Sequence, residues 1–98
     1  MKLKAKVLSA YQNLTLEIDT EKNIVLIDGV PSKYDANDLF ARIFHLIKNW
    51  PLDSHLNNIL DGETYFIEVN DGKRNKTLSG QAYAVEGYSN FRLLFEVL

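Results

Sequence analysis

Cysteine is absent from the 98 residues. That excludes disulfides, thiolate nucleophiles and thiolate-bound metals, and it fits a reducing compartment. Charge of one sign is scarce too: 11 Lys and Arg against 13 Asp and Glu leave −2. A balance so close to neutral argues against a dominant electrostatic grip on nucleic acid or an anionic membrane. No apolar run approaches the ~20 residues of a membrane span. The opening MKLKAKVLSAY has the basic start of a signal peptide, but Gln12, Asn13 and Thr15 arrive where its apolar stretch is needed. A cytoplasmic location is therefore expected, and the sequons at Asn13 and Asn75 are read as chance. Glycine-rich dinucleotide loops, a P-loop and an EF-hand are all missing, so no cofactor is expected.

What remains is an ordinary globular composition. At 46% hydrophobic and 24% charged, the chain is neither disordered nor membrane-embedded in type. Its length suits a single domain spanning 1–98.

Lys2, Lys4 and Lys6 alternate with Leu3, Ala5 and Val7, the period of a strand with its lysines on one face. Leu14, Leu16 and Ile18 alternate likewise, and Ile24–Ile27 follows the polar TEKN, so residues 14–27 read as a hairpin. Asp28-Gly29 is a turn, and Pro31 keeps Val30–Ser32 out of a sheet interior. A helix is expected from an N-cap at Asp35 to Pro51. A short helical turn is expected over 54–60. Tyr65, Ile67 and Val69 mark another strand, NDGKRN a hairpin loop, and 76–85 the returning strand, with Gly80 signalling a bulge or close approach. The tail SNFRLLFEVL fits two periods. Helical spacing groups Phe91, Leu94, Phe95 and Leu98 and pairs Arg92 with Glu96; strand spacing groups Phe91, Leu93, Phe95 and Val97. Helix is favoured, with Ser89 as its cap.

The stretch FARIFHLIKNWPLDSHL carries both histidines, Trp50, Asp53 and Ser54. Placed at about 100° per residue, Leu39, Phe40, Ile43, Phe44, Leu46, Ile47 and Trp50 share one arc of about 160°, opposite His45. This is a core helix that turns its histidine to water. Ala41 and Asn49 occupy the positions one turn from His45, so no second metal ligand flanks it, and Trp50 reads as a core anchor. Asp53, Ser54 and His55 are triad residue types without a nucleophile elbow around them. No catalytic, cofactor or metal site is assigned, and the chain is expected not to be an enzyme.

The expected fold is α+β, with a single mostly antiparallel sheet of about five strands in the order β-β-β-α-β-β, a short C-terminal helix or strand, and one long amphipathic helix packed across one face. The leading functional reading is a small non-enzymatic protein-interaction module, of an inhibitor, immunity or accessory type. It would bind another protein or itself through a strand edge or through the aromatics Phe66, Tyr83 and Tyr88. The alternative is nucleic-acid binding through Lys2, Lys4 and Lys6 together with Lys73, Arg74 and Lys76, with Tyr11, Phe66 or Tyr83 as stacking surfaces. A third reading is a small enzyme or ligand-binding domain whose cleft forms only in a dimer.

Overall fold

The structure, a computed structural model, describes residues 1–9, 12–54, 63–81, 85 and 87–97, with only the backbone described at 53–54 and 95–97. Strand β1 (Lys2–Leu8) buries Leu3, Ala5 and Val7 and exposes the alternating lysines, as its period requires. It lies at the centre of the sheet. β2 (Asn13–Asp19) and β6 (Thr64–Asn70) pair antiparallel with it along its whole length, one on each side. β3 (Ile24–Ile27) pairs with β2, and β7 (Asn75–Gln81) with β6.

Two short edges extend this beyond the expected strand count. Asp28 and Gly29 both take positive φ (51° and 80°), the backbone of a type I′ turn, and return the chain as the two-residue β4 (Val30–Pro31). Pro31, lacking an amide proton, does stay at the sheet edge. At the opposite edge β5 (Asp53–Ser54) pairs parallel with β7, and the Leu52 carbonyl accepts from Ser79 N at 3.1 Å. The sheet order is β4-β3-β2-β1-β6-β7-β5. Gly80 makes no bulge: the β6–β7 register is continuous, and Gly80 lies between Tyr65 and Ser54. Apart from Ser54, the turn expected over 54–60 lies outside the described residues, as do 82–84 of the expected strand.

Helix α1 (Ala36–Ile47) starts where the sequence places it. The Asp35 carboxylate accepts from Asp38 N at 3.0 Å, and Asn23 Oδ1 in the β2–β3 turn accepts from Ala36 N at 3.0 Å. Leu39, Phe40, Ile43 and Ile47 are buried, Phe44 and Leu46 half-buried, and His45 exposed on the far side. Trp50 follows the helix and is only 6% exposed.

The tail is a second helix, α2 (Tyr88–Val97). Phe91 is fully buried, Leu94 half-buried and Leu93 52% exposed, so the helical period holds. Its first turn rests on Gly87, whose carbonyl accepts from Asn90 N and Phe91 N, rather than on a Ser89 cap. Gly87 has φ +84°, a backbone glycine adopts freely.

Both helices cover the same side of the sheet. Trp50 stands 5.2 Å from Tyr65, 6.2 Å from Tyr88 and 5.6 Å from Phe91 between ring centroids, so one aromatic cluster joins the segment after α1 to α2 and β6. The single helix expected across the sheet is thus a pair. A least dimension of 17 Å leaves room for these two layers and no third.

Candidate interaction surface

Because α1 and α2 share one side, the other side of the sheet meets solvent. Strand alternation decides which residues stand there. Lys2, Lys4 and Lys6 form its central row. In register on the β2 side lie Asp19, Glu17 and Thr15; on the β6 side lie Asn70, Glu68 and Phe66. Ile24 and Leu26 of β3 flank Asp19 and Glu17. Lys4 Nζ lies 3.4 Å from Glu17 Oε1, both side chains well exposed. One end of the face, from Ile24 and Leu26 across to Thr77, forms an open trough of about 540 Å³.

Phe66 sits on this face, 41% exposed, with Lys6 and Ser79 as its cross-strand neighbours. Ile24 is equally exposed at 41%. Tyr88 does not join them. It is buried against Trp50 and Tyr65 on the helix side, because Tyr65 and Phe66 point to opposite faces of β6. Tyr83, Tyr11 and His55 lie outside the described residues. The aromatic patch expected from sequence therefore reduces, among the described residues, to Phe66.

The two basic groups meet in part. Lys73 and Arg74 occupy the β6–β7 turn, where Asp71 Oδ1 accepts from both their backbone amides at 2.9 Å. Those two amides hold the exposed Asp71 carboxyl below its ordinary value. Lys76 pairs with Val69, so its Cβ starts on the helix side, yet the residue also lines the trough that Lys2 and Lys4 border. The lysine row itself is interleaved with Glu17, Asp19 and Glu68, three carboxylates against three lysines.

Sequence reasoning missed a half-buried polar cluster at the base of α2. Tyr88 Oη donates to Glu63 Oε2, Arg92 Nε to Glu63 Oε1 at 3.0 Å, and Arg92 Nη2 to Gln12 Oε1 at 3.1 Å. Arg92 and Glu63 are 20% and 26% exposed. The pairing of Arg92 with Glu96 involves a side chain outside those described. No local spacing marks the cluster, since 29 residues separate Glu63 from Arg92. Each of its carboxylate oxygens accepts a hydrogen bond, one from the tyrosine and one from the guanidinium, which suits a clamp holding α2 to the start of β6. Arg92→Ala should cost about 1–2 kcal/mol, because the half-buried Glu63 loses its charged partner. An unchanged urea midpoint for that variant would show the cluster to be solvated decoration.

Among the described residues no group of three or more His, Cys, Asp or Glu is placed to hold a metal ion. Nor is any described helix long and apolar enough to cross a membrane. Compared with protein-family models, curated proteins and solved structures, the chain has no significant match.

Proposed function

We infer that this chain is a non-enzymatic protein-interaction module whose contact surface is the uncovered sheet face, with Phe66 as its apolar anchor. The observation that carries the reading is the placement of both helices on one side, which leaves Phe66 and Ile24 exposed on the other. Charge favours a protein as occupant. Lysines and carboxylates alternate across neighbouring strands, a pattern matched by the mixed charges of a protein surface and poorly by a polyanion. The face also serves better than an edge. Edge β4 has two residues, one of them Pro31, and offers little to an incoming strand.

Phe66→Ser should leave stability within about 0.5 kcal/mol, since the ring is already partly in water. It should weaken association with the partner by about tenfold or more. The check is affinity capture with the wild type and the variant side by side, followed by reconstitution with the purified captured protein. Identical binding by both would remove Phe66 from the interface. Retention on single-stranded DNA that collapses between low and moderate salt would replace this reading with nucleic-acid binding.

A further inference from the structure

On the helix side, where the C-terminal half of α1 meets the β6–β7 hairpin, lies a second hollow of about 400 Å³. Its floor is apolar: Phe44 and Ile47 from α1, Val69 from β6 and Leu78 from β7, with the 59%-exposed Leu52 at the margin. Its rim carries three cations, Lys48, Arg74 and Lys76, against the single carboxylate of Asp71. That carboxylate is turned into its own loop, accepting from the Lys73 and Arg74 amides. Lys48 caps the C-terminus of α1 and offsets the partial negative charge there. A local excess of positive charge stands out in a chain whose net charge is −2.

We propose that this hollow binds a small anionic amphiphile, a carboxylate on a short apolar body, with the body on the Phe44–Leu78 floor and the carboxylate between Arg74 and Lys76. A volume of about 400 Å³ lies in the range of small-molecule sites. Arg74 supplies the planar fork that fits a carboxylate, and Lys76 a second, mobile charge. The hollow shares Val69, Asn75 and Lys76 with the trough on the uncovered face, whereas Arg74 and the Phe44, Ile47 and Leu78 floor belong to the hollow and not to that trough.

The test is titration of the isotopically labelled protein with octanoate, octylammonium and octanol, followed by amide chemical shifts. Octanoate should give saturable shifts confined to residues 44–48 and 69–78, with octylammonium at least tenfold weaker. Arg74→Ala/Lys76→Ala should weaken octanoate at least tenfold with octanol unaffected, while Phe66→Ser, as a control on the other face, leaves octanoate binding intact. Equal binding of octanoate and octylammonium overturns the proposal. So does the absence of saturable shifts, or response to an acidic, apolar peptide without response to octanoate. An unchanged melting temperature of the double variant shows that lost binding is not lost folding.

Discussion

Replacing Phe91 with alanine is expected to destabilise the fold by about 3–5 kcal/mol, while replacing Leu93, two residues on, costs less than about 0.5 kcal/mol. Phe91 is fully buried, 5.6 Å from Trp50 and 5.9 Å from Tyr88 between ring centroids, so truncation leaves a cavity at the junction of both helices and the sheet. Leu93 is half in water and loses little. A domain of this length has roughly 5–15 kcal/mol in total, so Phe91→Ala should remove a large part of it. The melting temperature should fall by on the order of 20 °C. Urea denaturation of both variants decides the matter. Equal costs at the two positions would mean that the tail packs with the period of a strand, and the helix α2 would have to be abandoned.

Trp50→Ala should have an effect of similar size, about 3–5 kcal/mol. The indole is 6% exposed and contacts Tyr65, Tyr88 and Phe91 at once. Since Trp50 and Phe91 touch, their truncations should not add. Once either ring is gone, removal of the other finds its cavity partly opened, with a coupling of about 0.5–1.5 kcal/mol. Trp50→Phe should recover much of the loss. If Trp50→Ala instead spared the fold and altered only binding, Trp50 would be a stacking platform and not an anchor.

Much of the architecture was legible because single elements carry their own period. The alternation of Lys2 to Val7 sets the two faces of β1, and the arc from Leu39 to Ile47 sets the buried stripe of α1 with His45 outside it. Asp28-Gly29 turns where Asp-Gly should, in the left-handed backbone that pair tolerates. These features are local. Side-chain direction repeats every two residues along a strand and about every 3.6 along a helix, whatever the element later packs against.

The tail shows where local evidence ends. Both periods fitted residues 89–98, and the tie was broken by the cleft beside Trp50 and Tyr65, which takes Tyr88 and Phe91 together. Only helical spacing puts two residues three apart on one face. The same cleft removed Tyr88 from the surface where its composition had placed it. Sheet order likewise set Lys2, Lys4 and Lys6 on the solvent face, and brought Glu63 to Arg92.

By itself, then, the sequence determined which face of each strand and of the first helix is apolar, where most turns fall, and that a single sheet with helical cover would result. Tertiary structure alone decided that both helices share one side, that Phe66 stands without Tyr88, and that basic residues gather around an apolar hollow. The physical reason is that periodicity is imprinted on one element by its own backbone geometry, whereas neighbours across the fold are chosen by the long-range burial of apolar surface.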